Sequence, residues 1–184
     1  MPAGRARVGL LAALLLGGCF WEGPAFYTVD PARPGPLAPG LYQAETPDDG
    51  SAPDRLRIGR AADGALLVAP PEDYETGHPT RVVLAPLPVP GRQLWVVQAR
   101  IGEPDDPVAY GLLDSAGGTL MLDPALHCEG SQALVRAAGG AVEGEGGSPS
   151  CVFKDRATLE RALAAYAGAH PGLDKPTRLT RIGD

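Results

Sequence analysis

The stretch from residue 40 to residue 122 constrains the fold most, because short alternating or apolar runs are cut repeatedly by glycine, proline and aspartate. Runs of this length between turn residues read as strands of an antiparallel sheet. Residues 41–45 and 56–60 alternate, and 65–68 is a short apolar run following Asp63-Gly64, a hairpin signal. Residues 81–84 are rich in β-branched side chains, but Pro86, Pro88 and Pro90 argue against a central strand beyond them, since proline cannot donate to a ladder. Residues 94–101 form the strongest strand, with Gln98 and Arg100 on one face and Val97, Ala99 and Ile101 on the other. A second hairpin joins 110–114 to 119–122 through Ser115-Ala116-Gly117-Gly118. It matches 56–68 in length, turn position and apolar flank, a similarity that hairpins share in general; two copies are too few for a solenoid or propeller.

The helical signals come later. Residues 133–137 suit a short helix stopped by Gly139-Gly140, and 143–150 read as a glycine-rich loop. A longer helix is predicted over 155–168, capped by Asp155 and stopped at Gly168, with His170-Pro171 beyond. Leu159, Ala162, Leu163 and Tyr166 form one apolar stripe at helical spacing, while Glu160 and Arg161 face water. Residues 178–182 suit an edge strand. The expected class is therefore α+β: a predominantly antiparallel β-sheet, as a sandwich or a partly open barrel, with one C-terminal helix packed on it.

Before residue 40 the chain changes character. Arg5 and Arg7 precede an apolar run over 8–16, the layout of an export signal. The run is about half the roughly 20 residues needed to cross a bilayer, so removal after export is expected. The ending Leu16-Gly17-Gly18-Cys19 resembles the lipobox of bacterial lipoprotein precursors, with Leu three residues before the cysteine and two small residues between. The resemblance covers the first 19 residues and departs from the pattern only in having Gly17 where Ala or Ser is commoner. It implies cleavage after residue 18, diacylglycerol on the Cys19 thiol and acylation of the new amino group, palmitate included. Each buried methylene contributes roughly 0.8 kcal/mol, so two chains or more give stable anchoring. Phe20 rather than Asp after the cysteine favours the outer membrane over the cell membrane where a cell has both.

The domain plan that follows is a signal peptide over 1–18, a lipidated, proline-rich tether over 19–40 and a single β-rich domain over 41–184. Pro24, Pro31, Pro34, Pro36 and Pro39 suggest an extended spacer of up to about 3.1 Å per residue, with an arm packed on the domain as the alternative. With Cys19 assigned to lipid, Cys128 and Cys151 remain as a pair in an oxidising compartment, where a disulfide is the ordinary outcome. Their spacing fits neither C-x-x-C nor a zinc pattern.

Charge and motif content narrow the function classes. The chain carries 16 basic and 22 acidic side chains, and losing Arg5 and Arg7 moves its net charge from -6 to -8. This argues against nucleic acid as a partner and against a polybasic hold on lipid. His127 beside Cys128 would form a base and nucleophile only with a free thiol. His78 and His170 sit beside prolines and lack helical ligand spacing. The acidic groups Asp48-Asp49, Glu72-Asp73-Tyr74-Glu75 and Glu103-Pro104-Asp105-Asp106 lack calcium-loop spacing and read as solvated turns. The glycine pairs at 117–118, 139–140 and 146–147 lack a phosphate-loop lysine, and no G-x-S-x-G elbow occurs. Trp95 and Tyr110 would make an aromatic platform only if exposed together.

No catalytic, metal or cofactor residue is assigned. The site residues are Cys19 for lipid and Cys128 with Cys151 for the disulfide. Two functions fit: a noncatalytic envelope lipoprotein that binds another envelope protein, or a lipid-anchored hydrolase-like enzyme. They are separated by whether the surface offers an exposed apolar patch or strand edge, or a concave site of convergent polar groups.

Overall fold

The computed structural model describes residues 20–47, 52–100, 103, 105–124, 126–144, 149–174 and 176–184. The signal peptide, Cys19, Asp48, Asp49, Ile101, Pro104 and the glycine pair at 146–147 lie outside the described residues.

Among the described residues eleven strands and two α-helices follow in order: β1 Trp21–Gly23, β2 Gly40–Glu45, β3 Asp54–Arg60, β4 Leu66–Ala69, β5 Thr80–Leu87, β6 Leu94–Arg100, β7 Val108–Asp114, β8 Leu120–Asp123, α1 Gln132–Ala138, β9 Ala141–Glu143, β10 Ser150–Val152, α2 Arg156–Ala169 and β11 Thr177–Gly183. Strands β2 to β8 run as an antiparallel meander. β11 then pairs with both β8 and β2, and β6 with β7, so eight strands close into a barrel. The class expected from sequence holds, and the barrel is closed. β11, expected as an edge, is the closing strand.

Alternation builds the barrel. Ile58, Val68, Val82, Val97, Leu113 and Leu179 point inward into one apolar cluster. Outward positions on β2, β3 and β11, such as Glu45, Arg57 and Arg178, are exposed. An apolar lumen with a polar exterior is the reverse of a barrel that spans a bilayer. On β5 to β7 the outward positions Val83, Val96, Tyr110 and Leu112 are also apolar, and they form a second core beneath α2.

Asp155 caps α2 as predicted, accepting from the Thr158 amide at 2.8 Å, and the stripe Leu159, Ala162, Leu163 and Tyr166 is buried. The helix runs through Gly168 and ends just before His170, because the residue ahead of Pro171 disfavours helical backbone. α1 ends on Gly139 at φ 93°, a left-handed cap that suits glycine. The disulfide joins Cys128 to Cys151 with Cα atoms 5.2 Å apart.

Three expectations need correction. Residues 20–40 are not a free tether: β1 pairs in parallel with β10 and antiparallel with β7, and Trp21, Tyr27 and Leu37 are buried. Aromatic rings explain this, since each buries a large apolar area. Trp21 packs on Phe153 at 5.1 Å and edge-on to Tyr166, while Phe26 stacks on Tyr110. The prolines lie outside its strand pairings, and Pro31 sits in a turn closed by the Arg33 amide on the Asp30 carbonyl. Second, Glu160 is half-buried, accepting from the Tyr27 hydroxyl at 3.2 Å and from Arg156. Third, β5 continues through Pro86 in the barrel wall. β4 pairs only as far as Val82, so Pro86 borders β6 alone and forfeits no ladder bond toward β4.

The two hairpins also differ. Arg60 pairs with Leu66, whereas Asp114 pairs with Met121, a turn one residue longer. Leu56 therefore faces the lumen and Tyr110 the outer core.

Candidate functional site

Three places combine enclosure with chemistry. The first is the lumen, where a residual cavity of about 60 Å³ is lined by Leu37, Ala44, Ile58, Leu84, Ala99 and Thr177 among others. Eight strands leave an interior that side chains fill, and this remnant is far below the roughly 300 Å³ of a small-molecule pocket. The lumen is a packed core.

The second lies at the outer edge of the helical core. Asp123 follows the inward-pointing Leu122 and therefore faces outward, beneath the Tyr166 hydroxyl, 3.4 Å away. Burial pushes its carboxyl up to about 6; Asp174 adds to the rise, while the Tyr166 hydrogen bond and His170 oppose it. Burial likewise raises the Tyr166 hydroxyl. The His170 ring packs on Tyr166 and meets its carbonyl through Nδ1 at 3.1 Å. The group sits at the C-terminal end of α2 and lines neither the lumen cavity nor the outer cleft.

The third is a cleft of about 1050 Å³ on the barrel's outer wall. Its floor is the start of β5 and the end of β6, with Arg81, Val83, Gln98 and Arg100; the arm from Ala25 to Val29 forms one wall. His78, Glu103 and Asp63 stand around it. The wall is fixed by Gln98, whose Oε1 accepts the Tyr27 amide at 2.9 Å and whose Nε2 donates to the Tyr27 carbonyl at 3.0 Å. One side-chain amide thus replaces a neighbouring strand. Arg156 covers the Tyr27 ring at 4.7 Å, and burial, followed by Glu160, drives the Tyr27 hydroxyl well above its usual range. Arg81 reaches Asp63 through both terminal nitrogens, a bond that leads the causes holding the Asp63 carboxyl below the usual range.

The residues singled out by sequence do not assemble into one centre. Cys128 is oxidised to Cys151, so His127 has no thiolate beside it; its ring instead lies 5.2 Å from Phe20. His78 reaches the cleft, and His170 belongs to the Asp123 group. Trp95 points to the lumen side and Tyr110 to the outer core, so they form no shared platform. Among the described residues no three acidic, histidine or cysteine side chains gather to hold a metal. Sequence reasoning placed Gln98 and Arg100 on one face of the strongest strand but not what they meet, because the register with β5 and the docking of the arm are tertiary facts.

No known protein family, curated protein or solved structure matches the chain.

Proposed function

We infer that the chain is an exported lipoprotein, anchored to a membrane through lipid on Cys19, whose barrel serves as a noncatalytic binding module for another envelope component. The observation that carries this is the sequence Leu16-Gly17-Gly18-Cys19 behind a short apolar run. The Cys128–Cys151 disulfide supports export, since such bonds persist in oxidising compartments. The cleft favours binding over chemistry: its floor presents guanidiniums, which hold and orient anions but do not exchange protons near neutral pH.

Phe20 is buried and bridged to His127, so a lipid on the preceding residue would hold the domain directly on the bilayer, without a spacer. β1 and β6 both run antiparallel to β7, so the chain leads from Phe20 toward the Arg100 end of the barrel. Glu22 is level with Ala109 and so with Ala99, which brings the start of the arm close to the cleft end.

The test compares wild type with Cys19→Ala in a bacterial host by intact mass and membrane partitioning. Loss of residues 1–18, added acyl mass and membrane recovery in wild type alone are expected. A soluble, unacylated wild-type product overturns the anchoring.

A further inference from the structure

The cleft floor contains an arrangement that antiparallel sheets avoid. Arg81 and Arg100 are direct partners across β5 and β6, on the same outward face. Side chains so placed have Cβ atoms about 5 Å apart, and like charges there are destabilising. Elsewhere the barrel handles the same side chain differently: Arg178 on β11 lies opposite Glu45 on β2.

The partners of the two cleft arginines deepen the contrast. Three arginines among the described residues are half-buried: Arg81, Arg92 and Arg100. Arg92 meets Asp114 at 2.7 Å, and Arg81 is held by Asp63. Arg100 has neither a hydrogen bond nor an ion pair among the described residues. Asp63 is committed to Arg81 through both its oxygens, and Glu103 is exposed at the rim. A partly desolvated guanidinium beside a second one calls for negative charge, and the space above the pair is open.

We propose that this cleft is a binding site for an oxyanion, a carboxylate or phosphate borne on a small organic body, gripped by Arg100 together with Arg81. Arginine suits the role because its planar fork matches the oxygens of either group. Val29 and Val83 supply apolar wall for the rest of the ligand, and His78 adds a nitrogen. A volume of about 1050 Å³ exceeds what a bare ion fills. The Gln98–Tyr27 clasp keeps the wall in place, so the site is formed before the ligand arrives. The inference deepens the reading of the barrel as a binding module and is independent of lipid on Cys19.

The experiment titrates the full-length purified protein with inorganic phosphate and with succinate at constant ionic strength, reading heat of binding and melting temperature against chloride. Saturable binding of at least one probe is expected, weakened about tenfold or more by Arg100→Gln and unchanged by Arg178→Gln, an equal change of charge elsewhere. Phosphate alone binding identifies a phosphorylated ligand, and succinate alone a carboxylate. In chloride, Arg100→Gln should melt no lower than wild type, because it relieves the like-charge pair. If that variant does not fold, Arg100→Lys carries the test: it keeps the charge, loses the fork and should bind several-fold more weakly. Absence of saturable binding of either probe, or an equal response from wild type and the Arg100 variants, overturns the site and leaves the reading of Cys19 untouched.

Discussion

The two halves of the barrel wall share an interior and differ outside. On β2, β3 and β11 the outward face carries exposed polar side chains such as Arg178 and Thr180, and it meets water directly. On β5, β6 and β7 that face is apolar over most of its length and lies under α2, β1 and the arm, leaving Arg81 and Arg100 half-buried at the cleft end. The lesson is that the barrel is only half of the stabilising core. Its lumen holds the strands together, while the second core, outside the wall, decides where helix and arm attach.

The sharpest way to break this comparison is Trp21→Ala. The ring is fully buried in the outer core, and its Nε1 donates to Ser131 at 2.9 Å. Losing an aromatic side chain from such a site costs roughly 3–5 kcal/mol, and denaturant unfolding should register that loss although no lumen residue is touched. A loss below about 1 kcal/mol would mean that the arm contributes little to the second core.

Asp123→Asn should act in the opposite direction. The carboxyl titrates near 6 in the folded chain against 3.8 for an ordinary aspartate. Between about pH 4 and 6 the folded state therefore holds this proton more firmly than the unfolded state does, and stability falls as pH rises through that window. The full penalty, on the order of 3 kcal/mol, applies above it. Asn has no such charge to bury, so the variant should gain that amount at pH 8 and nearly nothing at pH 3.5, with the slope between flattened. Equal effects at both pH values would show that packing, not ionisation, governs the site.

On the open half the expected effect is the smallest. Arg178→Ala removes an exposed side chain from β11 and should change stability by no more than about 0.5 kcal/mol. A loss approaching that of Trp21→Ala would erase the distinction between the two halves.

Legibility in the sequence followed the same division. Strands whose outer face meets water alternate plainly, and 41–45 and 56–60 fell where β2 and β3 lie. The stripe on α2 was equally readable because Asp155 and four apolar residues at helical spacing act locally. Closure was not readable, since whether β11 borders one strand or two depends on pairing rather than pattern. The arm was misread because five prolines signal an extended chain without saying whether that chain is docked; the signal lay in Phe20, Trp21, Phe26 and Tyr27 among them. The cleft was half legible. Arg100 beside Gln98 in an otherwise apolar strand marked a polar spot on a face destined for burial, but its pairing with Arg81 required the β5–β6 register.

The closing strand also sets the order in which the protein can form. Thr46 and Thr177, 131 residues apart, bring their hydroxyls to 3.0 Å where β2 meets β11. Pairings of such separation carry a high entropic cost and make folding slow. The barrel remains open until β11, the last of its eight strands, has been made. Deleting β11 would unseal both β2 and β8 rather than shorten an edge.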